Sequence, residues 1–145
     1  MLKAVYFLYT QVPEERFDMQ HYRKYYKNEN PDNRNPICKT VGCAAGWLTA
    51  IIPKEKIIHG FHKSILFDDT LRFVLNITHM QNVFLFAGNW SFSDNTLEGA
   101  CKRFLYLLIT ENPDLEIKPN HSYHQIDIVS TYNKLKSKYE KSGQL

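Results

Sequence analysis

No apolar run in this chain approaches the roughly 18 residues of a membrane-spanning helix. The start, Met1 to Tyr9, has one Lys and a short apolar run, then reaches Pro13-Glu14-Glu15-Arg16 without the small-residue cleavage pattern of a secretory leader. Neither sign of charge dominates. Lys and Arg number 18 and Asp and Glu 15, a net of +3, short of the basic face of a dedicated nucleic-acid binder, though a local anion site is still permitted. Cysteine is scarce, at three, and the expectation is a cytoplasmic protein with reduced thiols. Internal repeats, low-complexity tracts and period-2 alternation are absent, which argues against sheet. The Gly-Lys-Ser/Thr ending of a phosphate-binding loop is missing, as are a close carboxylate pair and a recognisable triad. Neither a cofactor nor a metal is expected.

What the chain has is aromatic residues and helical spacing. Hydrophobic residues make up 43% and aromatics 14%, with nine Tyr and nine Phe, enough for one core without a staple. A length of 145 residues is usual for one domain. The expected fold is all-α: a compact single-domain bundle of short helices over residues 1–145, with a longer C-terminal helix in 120–145.

Residues 2–11 put Leu2, Val5, Leu8 and Tyr9 on one helical face, and Pro13 follows. Asp18 is placed to cap a short helix over 19–27, and the Asn-, Asp- and Pro-rich stretch 28–36 is a loop. A helix is expected from near Thr40 to about Ile52, closed by Pro53. Residues 57–62 suit a brief extended piece or a loop. Asp68 or Asp69 is placed to cap a helix carrying Leu71, Val74 and Leu75, and another short helix runs over 81–86 toward Gly88. The strongest pattern is 96–110. Asn95 stands as N-cap, Glu98 as its capping-box partner, and Leu97, Cys101, Phe104, Leu105 and Leu108 form one stripe. Over about 122–140, Ile128, Tyr132, Leu135 and Tyr139 repeat at three or four residues; Lys134, Lys136, Lys138 and Lys141 solvate the rest.

The densest run of unusual residues is Cys38 to Trp47, with two cysteines, two glycines and two alanines beside a tryptophan. Gly42 and Gly46 share a helix face, which suits close helix packing. The alternative is a helix start offering free N–H groups to an anion, with Lys39 and Thr40 beside it. Cys43 and Cys38 read either as small buried hydrophobes or, at a helix start, as a nucleophile of lowered pKa. Structural zinc would need ligands such as His59, His62, His121 and His124 around Cys38 and Cys43, without a second cysteine pair. Tyr22, Arg23 and Tyr26 interleave basic and aromatic character, suited to stacking a base and holding a phosphate, or to covering the edge of a core. Asn95, Thr96 and Arg103 are either parts of an elaborate helix start or polar contacts to a ligand. The candidate ligand-binding set is therefore Tyr22, Arg23, Tyr26, Lys39, Thr40, Gly42, Cys43, Trp47, Asn95, Thr96 and Arg103.

Three segments together resemble a family of small uncharacterised proteins of phages and bacterial genomes. They are Phe17-Asp18-Met19, then Cys38-x-Thr40-x-x-Cys43-x-Ala45-Gly46-Trp47, then Trp90-x-x-x-Asp94-Asn95-Thr96-x-Glu98-Gly99-Ala100-x-x-Arg103. The usual form has Gly in place of Lys39 and often Pro in place of Leu97. The resemblance covers roughly residues 2–115. It carries no activity and no site residue across; it implies a phage or mobile-element origin, and hence the cytoplasm of a host cell. By analogy with small phage accessory proteins, the expected function is non-enzymatic: countering host defence by binding, with a small nucleotide signal as the sharper target. The alternatives are an inhibitor that binds a host defence protein and a cysteine-dependent enzyme using Cys43 or Cys38. A nucleic-acid regulator built on the C-terminal lysines ranks behind them. Exposed aromatics also suit a homodimer.

Overall fold

The Leu2, Val5, Leu8 spacing closes into helix α1 (Leu2–Gln11). It is the first element of a computed structural model that describes residues 1–19, 24–25, 40–41, 43–59, 67–86, 95–111 and 122–143. A 3-10 turn over Glu14–Arg16 follows Pro13. Strands β1 (Lys24–Tyr25) and β2 (Thr40–Val41) make one antiparallel pair, Lys24 opposite Val41 and Tyr25 opposite Thr40. The remaining elements are α2 (Ala44–Ile51), a 3-10 turn Lys54–Lys56, α3 (Phe67–Leu75), α4 (His79–Phe86), α5 (Leu97–Thr110), a 3-10 turn Tyr123–Gln125 and α6 (Ile128–Lys141). The fold is all-α, as the pattern predicts. The C-terminal helix is long, at 14 residues, and α5 matches it at 14. Among the described residues, no helix is long and apolar enough to cross a membrane.

Helix α5 is the hub. It packs against α1, α4, α6 and the turn at Tyr123–Gln125. Its Ala100, Cys101, Phe104 and Leu105 are fully buried, together with Leu8 of α1, Leu71 of α3, Leu85 of α4 and Leu135 of α6. Each such leucine contributes roughly 1.5–3 kcal/mol by leaving water. Phe104 meets Phe86 edge to face at 5.6 Å, a geometry that aligns ring edge with ring face. Helix α2 is buried from Ala44 to Thr49, as expected of a helix apolar nearly all round. Its one buried hydroxyl, on Thr49, is satisfied locally by the Ala45 and Gly46 carbonyls, each at 3.0 Å.

Several boundaries differ from the sequence expectation, each for a local reason. Lys24 and Tyr25 are extended and paired with β2, where a helix over 19–27 was expected. Helix α2 starts at Ala44 instead of near Thr40, because Thr40 and Val41 are committed to that pairing and Cys43 is the N-cap. Asp68 and Asp69 lie inside α3, which already begins at Phe67, and so do not cap it. Helix α4 begins two residues early, at His79, because Thr78 and Gln81 form a reciprocal capping box. The Gln81 amide donates to Thr78 Oγ1 at 3.2 Å and the Thr78 amide to Gln81 Oε1 at 2.8 Å. Thr96, not Asn95, caps α5: its hydroxyl accepts from the Gly99 amide at 2.9 Å. Glu98 is therefore not a capping-box partner and pairs with Lys102 at 2.6 Å. The expected helix over 122–140 is divided into the turn capped by Ser122 and α6 capped by Asp127, whose carboxylate accepts from the Ser130 amide at 2.6 Å. Two competing caps six residues from end to end stop the first turn from propagating. Gly88 lies outside the described residues.

Candidate functional site

Two of the unusual sequence segments meet in space. The irregular stretch Arg16–Met19 lies between the starts of α2 and α5 and is bonded to both. Asn95 Oδ1 accepts from the Met19 amide at 2.7 Å, and its Nδ2 donates to Asp18 Oδ1 at 3.2 Å. Only this orientation of the side-chain amide satisfies an N–H and a carboxylate together. The Leu97 amide, one of the free donors at the start of α5, is taken by Glu14 Oε1 at 3.2 Å. At α2, the Ala44 amide points to Met19 Sδ at 3.4 Å, and the Trp47 indole N–H donates to the Arg16 carbonyl at 3.3 Å. Cys43, Trp47, Asn95 and Thr96 are thus brought to one joint, where Asn95 and the Trp47 indole bond to Arg16–Met19 and the Thr96 hydroxyl caps its own helix. Asn95→Ala is expected to cost about 1–3 kcal/mol, because the Met19 amide loses its acceptor in a part-buried place; a thermal melt against the wild type checks this.

The two described cysteines, Cys43 and Cys101, are both buried. Burial pushes the Cys43 thiol pKa up, with the Asp18 carboxylate adding to it; the amides of Gly46 and Ala45 at the α2 start pull the other way but are outweighed. Burial pushes Cys101 up to about 12, with smaller contributions from Glu14 and Glu98. Both groups have native pKa values above their unfolded ones. Their protonated state therefore contributes stability that is whole below about pH 8.5 and is lost as pH rises toward the native pKa. The predicted loss is about 1.4 kcal/mol per pH unit per thiol once the unfolded thiol has ionised. Urea unfolding at pH 8, 9 and 10 should show this slope flattened in Cys101→Ala relative to wild type. Identical slopes would mean that Cys101 is not held protonated. Cys38 is outside the described residues.

Arg103 sits on the buried side of α5, 8% exposed. Its Nη1 donates to the Phe84 carbonyl at 2.8 Å and its Nη2 to the Tyr123 hydroxyl at 3.2 Å. The guanidinium carbon lies 5.3 Å from the Phe84 ring centre and 5.2 Å from that of Tyr123. The Phe84 carbonyl belongs to the last turn of α4, where carbonyls lack helical partners and a cation is favoured. Arg103 therefore ties α4 to the Tyr123–Gln125 turn across α5. Of the remaining expected site residues, Tyr22, Arg23, Tyr26, Lys39 and Gly42 lie outside the described residues, and Thr40 is described by its backbone alone.

A surface the sequence did not single out lies where α1 and α6 meet. Tyr6, Tyr9 and Val129 are 52%, 47% and 55% exposed. They surround an apolar crevice of about 150 Å³ closed by Val5, Thr10 and Tyr132, with the Tyr6 and Tyr132 rings 6.1 Å apart. Tyr9, Ile128 and Val129 also line an adjoining polar groove of about 590 Å³, walled by Glu14, Glu98, Lys102, His124 and Asp127. Lys102 pairs with Glu98 and donates to the His124 carbonyl at 2.9 Å. Tyr9 was expected on the buried face with Leu8; as the last aromatic of α1 it spans both depressions instead. The available signal was an apolar residue off its own helix's stripe: Tyr6 beside Val5, and Val129 beside Ile128.

Among the described residues, no three His, Cys, Asp or Glu side chains gather as a metal site; Cys38, His62 and His121 of the zinc alternative lie outside them. Comparison with protein-family models, curated proteins and solved structures gives no match.

Proposed function

We propose that this protein is a non-enzymatic accessory protein of a phage or mobile element, and that it counters a host defence by binding a host protein in the cytoplasm. The observation that carries the reading is the gathering of Tyr6, Tyr9 and Val129, all exposed, around one apolar crevice at the α1–α6 seam. Exposed aromatics set around an apolar pocket are the usual anchors of a protein interface. The accessory role draws on the resemblance of the 38–47 and 90–103 segments to small phage and bacterial proteins.

The nucleotide-sequestering alternative needs cationic contacts to phosphate. Its candidates are Tyr22, Arg23, Tyr26, Lys39 and Thr40, whereas the polar groove carries three carboxylates, Glu14, Glu98 and Asp127, against Lys102. That balance repels phosphate. The cysteine-dependent alternative is weakened at Cys43, whose thiol is buried and held protonated. Calorimetric titration with cyclic dinucleotides and ADP-ribose isomers is expected to give no heat, and immobilised protein is expected to retain one bacterial protein from host lysate. Saturable heat with a nucleotide, or an empty lysate capture, would overturn the protein-partner reading.

A further inference from the structure

The tyrosine crevice and the polar groove adjoin, one apolar and one polar. They share Tyr9, Ile128 and Val129, so whatever enters one borders the other. The crevice, at about 150 Å³, holds a single aliphatic or aromatic side chain, and its apolar walls offer such a group no competing polar partner. The groove holds Glu14, Glu98 and Asp127 against one lysine. Lys102 is already paired to Glu98, and Glu14 and Asp127 each spend one oxygen on a backbone amide. A carboxylate has two oxygens and about four acceptor positions, so acceptor capacity is left over on both. At the starts of α5 and α6 the Leu97, Gly99 and Ser130 amides are taken by Glu14, Thr96 and Asp127, which reduces what these helix ends offer an incoming anion.

Resting on the protein-partner reading above, we infer that the partner presents a polypeptide segment in which an apolar side chain is followed within a few residues by Arg or Lys. The apolar group fills the crevice beside Tyr6 and Tyr132. The basic group lies in the groove between Glu14 and Asp127, with Tyr9 as the shared wall beneath the chain. An arginine suits the groove best, since its planar fork meets two carboxylate oxygens at once and stacks on a tyrosine face. An acidic second residue is disfavoured by the excess of carboxylates over Lys102.

The test uses the whole protein and ten-residue peptides of otherwise Gly, Ser and Ala composition, carrying Leu and, two to five positions later, Arg. Nuclear magnetic resonance titration reads both affinity and location. The Leu/Arg peptides are expected to shift the amides of Tyr9, Val129 and Lys102, and to bind at least about tenfold more tightly than the same peptides with Glu for Arg. Glu98→Lys, at an exposed position outside the helix caps, is expected to reduce that preference to less than about threefold by making the groove neutral, and Tyr9→Ala to remove binding of both. Equal binding of the Arg and Glu peptides at the crevice, still lost in Tyr9→Ala, would overturn the basic-segment inference and leave the docking face standing. Shifts confined to another surface, or none for any peptide, would also overturn it. The face itself is judged separately, by whether the protein captured from lysate depends on Tyr9.

Discussion

Arg103→Ala is expected to lower the stability of the free protein by about 3 kcal/mol, or roughly 10 °C in melting temperature, with no ligand present. The substitution removes a charge-assisted hydrogen bond to the Phe84 carbonyl, worth about 1.5–3 kcal/mol. It also removes a cation that lies against both the Phe84 and Tyr123 rings, worth about 0.5–2 kcal/mol. The Tyr123 hydroxyl loses a donor at the same time. Arg103→Lys keeps the charge but not the planar fork, so it cannot serve the carbonyl and the hydroxyl together and is expected to recover less than half of the loss. Urea unfolding of the three proteins separates the two meanings of this residue. A strut for α4 and the Tyr123–Gln125 turn predicts the ranking wild type, Lys, Ala. Unchanged stability in Arg103→Ala would return Arg103 to the ligand contacts that the sequence suggested.

Tyr6→Ala together with Tyr9→Ala is expected to weaken the captured host protein by about 100-fold or more, since interface tyrosines of this kind each contribute about 2 kcal/mol when truncated. The melting temperature should move by no more than a few degrees, because both rings are about half exposed and the main loss is the Tyr6–Tyr132 contact. Phe73→Ala and Met80→Ala are the controls. These side chains are more exposed than either tyrosine, 67% and 74%, but line neither the crevice nor the groove. Surface plasmon resonance against the captured partner should find them unchanged. If the controls weaken binding as much as the tyrosine pair, the partner sits on α3 and α4 and the α1–α6 face is not the interface.

The helices legible in the sequence were those whose apolar spacing and termini agreed. Leu97 through Leu108 recur on one face between a cap and Asn112-Pro113, and the segment is α5. Leu2, Val5 and Leu8 likewise marked α1. Boundaries failed where two residues competed for one role. Asn95 and Thr96 are both good caps, and only the tertiary contact with Asp18 and Met19 takes Asn95 away from α5. Spacing cannot show that contact, since the partners are 76 and 77 residues apart. The α4 box was readable from Thr78 and Gln81 but was hidden by the weak apolar period around it. The site was harder still. Small residues, cysteines and capping groups look the same in a sequence whether they face a ligand or one another, and spacing does not show that Cys43, Trp47 and Arg103 are buried. The exposed face is made of residues that break a stripe, and a stripe-based reading assigns such residues to solvent.

The joint at Arg16–Met19 draws on all three of the sequence segments singled out above. Asp18 and Met19 belong to the first recognisable segment, Cys43 and Trp47 to the second, and Asn95, Thr96 and Arg103 to the third, and each is held by another part of the interior. Tyr6, Tyr9 and Val129 belong to none of the three. Residues of that kind hold the frame, and the tyrosine seam lies outside it. A substitution at the joint therefore disturbs how α2 and α5 are set against each other, whereas one on the seam leaves that setting in place.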